Sequence, residues 1–173
     1  EYEKQGFEPN VPSIEQRVET FRQLSGLIGK EHVIWRFDPL VVTPQISVRD
    51  MLKEVWNVGN LLKGLTNKLV FSFIDINGYR KVQNNLVKET NHFSKETIEE
   101  SEFTQQQMNE IADGLSTCRD KWQEEGWDIQ LATCAEQIDL DSYGIEHNRC
   151  IDGELMKRLW SNDKELLYYL NYG

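Results

Sequence analysis

The sequence predicts an α/β fold: a partial β/α barrel of the TIM type, with three parallel strands alternating with helices and short C-terminal helices. Three observations carry that prediction. The stretches HVIWRFDPL (32–40), KLVFSFIDI (68–76) and WDIQLATC (127–134) are short and largely apolar, as strands covered on both faces are. Between them lie segments whose apolar residues recur at three- and four-residue steps, the helical period. Strands alternating with helices imply parallel pairing through right-handed crossovers. A doubly wound sheet is the alternative, but no glycine-rich phosphate loop of the GxGxxG or GxxxxGK type accompanies the strands.

The elements follow in order. Residues 1–12 hold two prolines and no periodicity, which reads as loop. Ser13 and Gln16 have capping-box spacing and open a helix with an apolar stripe of Ile14, Val18, Phe21, Leu24 and Ile28, stopped by Gly29. After the first strand, Ser47 and Asp50 open a second helix, whose apolar positions are Val48, Met51, Leu52, Val55, Leu62 and Leu65. Residues 77–103, after the second strand, form a polar insertion with room for a short helix. Thr104 and Gln107 open the third main helix, through Met108, Ile111, Leu115, Cys118 and Trp122 to Gly126. Beyond the third strand, residues 135–152 read as loop. The tail, 153–173, holds two short helices capped by Asp152 and by Asn162, with Glu165 completing a box.

One domain accommodates all 173 residues. The chain opens in what reads as the exit from a missing strand, and three strands are few for a sheet covered on both faces. The expectation is therefore a piece of a larger β/α fold. Hydrophobic content of 39% and charged content of 28% suit a folded core. No apolar stretch reaches membrane-span length, and no signal peptide is visible. Net charge of -10 disfavours nucleic acid as a partner. Three widely spaced cysteines, Cys118, Cys134 and Cys150, argue against a disulfide framework and for a cytoplasmic location.

The strands share a feature: polar residues gather where they end. The first ends at Arg36 and Asp38, the second at Ser72 and Asp75 followed by Tyr79, Arg80 and Lys81, and the third at Cys134 and Glu136. In β/α folds ligands sit at the carboxyl ends of strands. Arg36 and Asp38 share a face by strand alternation, and a buried arginine there needs a carboxylate or an anionic ligand. The plain alternative is an Arg36–Asp38 or Arg36–Glu136 ion pair that only stitches loops together. Tyr79–Lys81 is the compact basic spot at this mouth, suited to phosphate or carboxylate. Cys134, His147 and Cys150 have loose spacing for metal ligands, so no metal is expected within this chain alone. Cys118 sits on a helical apolar stripe and reads as core. His32 lies at the wrong strand end for the mouth. The tryptophans and the YYLNY tail read as packing surface.

The stretches EPNVPSIEQRVETFRQLSGLIGKEHVIWRFDPL, KLVFSFIDINGYRKVQNNL and LATCAEQIDLDSYGIEHNRCIDGEL together resemble an uncharacterised bacterial family catalogued as a domain of unknown function (eighteen forty-eight). Its members are often labelled DNA repair photolyase or spore photoproduct lyase-like. The resemblance implies a radical-SAM-like barrel in which an iron–sulfur cluster and S-adenosylmethionine act in the full-length protein. The cysteine run that would hold the cluster is absent from this chain, which resembles an internal fragment. By motif, the resemblance covers Arg36 and Asp38 (WRxDP), Ser72 and Asp75 (SFxD), and Tyr79, Arg80 and Lys81 (YRK). It also covers Cys134 and Glu136 (TCAE), and Cys150, Ile151 and Asp152 (CID). Asn77 and Gly78 separate the SFxD and YRK blocks, and a longer polar insertion follows.

Two functions are expected in competition. One is the barrel portion of a radical-SAM-like iron–sulfur lyase of unknown substrate. The other is a non-catalytic β/α module that binds an anionic ligand or nucleic acid. A third reading makes Asp38, Asp75 and Glu136 acid and base of a metal-independent hydrolase or lyase. The expected partner is a small-molecule or nucleotide-like ligand at the mouth. An incomplete barrel also leaves strand edges unpaired, which predicts self-association.

Overall fold

The computed structural model describes residues 10–43, 45–76, 80–89, 93–95, 98, 102–134, 138–149 and 151–172, with the side chains of 80–82 and 89 outside that description. The described helices are α1 (Ile14–Ile28), α2 (Val48–Leu62), α3 (Arg80–Glu89), α4 (Gln105–Glu124), α5 (Gly153–Leu159) and α6 (Lys164–Tyr172). The strands are β1 (Trp35–Leu40), β2 (Lys68–Phe73), β3 (Gln130–Cys134) and β4 (Ile145–Asn148). They form one sheet in the order β1-β2-β3-β4, and every neighbouring pair is parallel.

Sequential parallel order, with α1, α2 and α4 packed on one face of the sheet, is the arrangement of a partial β/α unit. Trp35, Phe37, Leu69, Phe71, Phe73, Leu131 and Ile145 point to that face. There they join Val18 of α1, Met51, Val55, Val58 and Leu62 of α2, and Ile111, Leu115 and Trp122 of α4 in one core. The opposite, inner face carries a second, small cluster of Val70, Ala132 and Cys134, with Ile34 packed on it.

The helix starts follow the capping chemistry. Ser13, Ser47 and Thr104 each form a complete capping box, with Gln16, Asp50 and Gln107. Gly29 (φ 92°) and Gly126 (φ 85°) turn the chain out of α1 and after α4 in a backbone conformation that L side chains rarely adopt. The hydrogen bonds from Ser47 hold the Asp50 carboxyl below its ordinary pKa. A depressed folded-state pKa stabilises the fold above the unfolded value, and that stability is lost as pH falls through the folded value. The unfolding midpoint of Ser47→Ala should therefore fall less steeply than that of the parent as pH drops below the ordinary aspartate range. At neutral pH the same substitution should cost about 1 kcal/mol. Parallel thermal melts across acidic pH check both.

α2 and α4 meet closely. A Cβ on Gly59 would lie 2.2 Å from the Trp122 ring, and one on Gly114 would lie 2.3 Å from Leu52. Trp122 stacks on Trp56 at 5.2 Å and donates from Nε1 to Asn60 Oδ1 at 3.0 Å. Trp35 and Trp127 approach the same indole, at 6.2 and 5.1 Å.

Several sequence expectations need correction. A fourth strand lies within the segment expected to be loop. IEHN (145–148) buries only Ile145, so its apolar signal is too short to mark it. The first strand begins at Trp35, because Lys30–His32 form a single 3-10 turn. The polar insertion, by contrast, does hold the short helix its sequence has room for, α3. Asp163, not Asn162, caps α6, accepting from the Leu166 N–H at 3.0 Å. That moves the third helical position to Leu166 and removes the expected box with Glu165. Leu24 and Ile28 of the α1 stripe remain exposed. So do Tyr168, Tyr169 and Tyr172 of the tail, which were expected to pack.

Candidate functional site

The inner face acquires its polar residues by strand alternation. Register pairs Arg36 with Val70, Val70 with Ala132, and Ala132 with Glu146, so these four residues form one row. The next row toward the carboxyl ends holds Cys134 paired with Asn148, with Ser72 two residues on from Val70 and Asp38 two on from Arg36.

Side chains in these rows bond across strands. Arg36 donates from Nε to Asp38 Oδ2 at 3.2 Å, and its Nη2 donates to the same oxygen. The Ser72 hydroxyl of β2 donates to the other oxygen, Asp38 Oδ1. The Cys134 thiol of β3 is a further hydrogen-bonding partner of Arg36. Asp38 first, and Cys134 second, raise the pKa of Arg36 above its already high ordinary value. Three strands thus converge on one guanidinium.

Arg36 is not buried, as the sequence led one to expect. Its side chain is 46% exposed, and that of Asp38 27%. An arginine ends the apolar run of β1 because the inner face opens toward solvent there, with a carboxylate two residues on to orient it. Asp38 spends both oxygens on Arg36 and Ser72. Two of the five N–H donors of a guanidinium go to Asp38.

The other predicted site residues divide. Asp75 is exposed in the loop after β2. Tyr79, Glu136 and Cys150 lie outside the described residues, as do the side chains of Arg80 and Lys81, although the backbone of those two opens α3. Asp152 stands away from the Arg36 cluster. It caps α5 by accepting from the Leu155 N–H at 2.9 Å, and it lies 3.7 Å from Lys68 Nζ, at the opposite end of β2. Glu146 and Asn148 join the inner face unannounced by the sequence. Only the register of β4 against β3 reveals them.

Among the described residues, no group of three or more His, Cys, Asp or Glu side chains could hold a metal ion. The two described cysteines, Cys118 and Cys134, are not joined to each other in a disulfide, and burial pushes the Cys118 thiol pKa up. Among the described residues, no helix is long and apolar enough to cross a membrane.

Comparison with known proteins adds one match. The family model described as "Domain of unknown function (DUF1848)" covers residues 1–169. No curated protein and no solved structure matches the chain. With nearly its whole length covered, the chain belongs to the DUF1848 family of unknown function.

Proposed function

We propose that this chain is a β/α scaffold that binds a small anionic ligand, a carboxylate or phosphate, at the carboxyl ends of its strands, with Arg36 as the anchor. The observation that carries the reading is the oriented guanidinium. Asp38 fixes one edge of it, Ser72 fixes Asp38, and nearly half of the side chain stays open to solvent. A guanidinium held in this way loses little further freedom on gripping a planar or tetrahedral anion. Asp38 is then a positioning residue. With both oxygens engaged by donors it is poorly placed to act as a general base.

Titration with inorganic phosphate tests the reading. Saturable binding that weakens with added salt is expected. Ser72→Ala removes one donor from Asp38 and should weaken binding about fivefold, the value of one hydrogen bond of about 1 kcal/mol. No saturable binding in the parent chain would sink the proposal.

A second reading is the barrel portion of a radical-SAM-like iron–sulfur enzyme. The parallel β/α order and the polar carboxyl ends favour it. The described residues do not supply a cluster-binding set, so no step is assigned to a cluster here. Iron and sulfide content of the full-length protein purified without oxygen, followed by reductive cleavage of S-adenosylmethionine, tests this reading. Neither appearing after reconstitution would remove it.

A further inference from the structure

Helix α6 is apolar on two sides. Leu166, Leu167 and Leu170 are half-covered, and Leu170 leans on the start of α5, where a Cβ on Gly153 would lie 3.5 Å away. Tyr168, Tyr169 and Tyr172 take another side and are 63%, 62% and 80% exposed. Their rings touch one another: Tyr168 meets Tyr172 at 5.5 Å and Tyr169 at 5.9 Å. Singly exposed apolar residues are ordinary, whereas a contiguous exposed cluster marks a contact surface. The helices are short, 7 residues in α5 and 9 in α6, and they pack chiefly on each other. Neither buries a residue. Helices of that length are marginal without a covered apolar face.

We infer that the tyrosine face of α6 packs, antiparallel, on the same face of a second copy of this chain, forming a symmetric dimer. Three features select a second copy as the occupant. The first is spacing. Glu165, Tyr168, Tyr169 and Tyr172 form one helical stripe whose steps of three, one and three residues read the same in both directions. A two-fold interface needs such a self-complementary patch. Antiparallel pairing sets Tyr168 against Tyr169 of the other copy, and the Tyr172 hydroxyl where it can donate to the other copy's Glu165 carboxylate. The second is charge. Residues 153–173 balance Lys157, Arg158 and Lys164 against Glu154, Asp163 and Glu165, so the net charge of -10 lies wholly in residues 1–152. Contact through α6 joins two acidic chains at the segment that repels least. The third is area. Three rings this exposed offer roughly 400 Å² per copy. Two copies with their flanking side chains therefore bury about 1,000 Å², the lower end of specific interfaces, which suits a weak dimer.

Sedimentation equilibrium of the whole chain without phosphate tests this, so its outcome is independent of the anion proposal. A reversible monomer–dimer equilibrium with Kd on the order of 100 µM is expected. Raising salt from about 50 to about 300 mM should tighten it about twofold, because screening relieves the repulsion between acidic chains. Tyr168→Gln and Tyr169→Gln keep a good helix former and leave the leucine side alone. Each should weaken the dimer at least about tenfold while the melt of the dilute monomer stays in place. Leu27→Gln, at an 83% exposed position of α1, should leave association unchanged. A parent that stays monomeric to about 1 mM, a concentration well above that Kd, would overturn the inference. So would a dimer that tolerates both tyrosine variants, or one that Leu27→Gln disrupts equally. A monomer that instead sediments with phosphatidylcholine vesicles through the same tyrosines would assign the face to a bilayer surface and equally overturn it.

Discussion

Trp122→Ala should cost about 3–5 kcal/mol of folding stability, the largest single loss expected in this chain. The indole is fully buried where α2, α4 and the sheet meet, against Trp35, Trp56 and Trp127. Truncation leaves a cavity among three aromatic rings and strips Asn60 Oδ1 of its donor. For a chain of this size the thermal midpoint should fall by about 10 °C. The converse change, Gly59→Ala, drives a methyl into the same ring and should cost about 1–3 kcal/mol by overpacking. Trp160→Ala is the contrast: it is exposed and should leave the global midpoint nearly unchanged. Denaturant melts of the three variants, compared with the parent, check the ordering. A mild Trp122→Ala would mean that the three-element junction is not the centre of the core.

Arg36→Gln should abolish saturable phosphate binding, a loss of at least about tenfold. It should leave the unfolding midpoint within about 0.5 kcal/mol of the parent, because an exposed ion pair adds little stability. Arg36→Lys should restore only a small part of the affinity. Lysine keeps the charge but loses the planar fork that Asp38 grips from one edge. Isothermal titration of the three proteins measures this. Full rescue by lysine would reduce the site to a point charge, and unchanged binding by the glutamine variant would place the anion elsewhere.

Much of this architecture is legible in the residues. Ser13, Ser47 and Thr104 announce three helices because a hydroxyl cap followed by a polar third residue satisfies orphan N–H groups locally, with no help from tertiary context. β2 is legible because a covered strand needs an apolar run. β4 is not, since a strand of four residues with one buried apolar side chain has no period to read. The Arg36–Asp38 pairing follows from two-residue alternation, but Ser72 as the third member needs the register between β1 and β2. Asp152 misleads for a related reason. It enters through the CID block of the resemblance, which carries no register, and the structure sets it beside Lys68 at the amino end of β2. Glu146 and Asn148 escape because their row exists only once β4 is paired.

The most direct test of the anion site is nitrogen-15 NMR of the Arg36 side chain during phosphate titration, at constant ionic strength. An Nε–H held by Asp38 should give a slowly exchanging signal in the free protein. The signal should move saturably with phosphate, with a midpoint below about 10 mM, and the shift should be smaller and later in Ser72→Ala. A signal that stays in place through that range, while the protein remains folded, would contradict the assignment of Arg36 as the anchor. It would leave the strand-end charges as structural ion pairs.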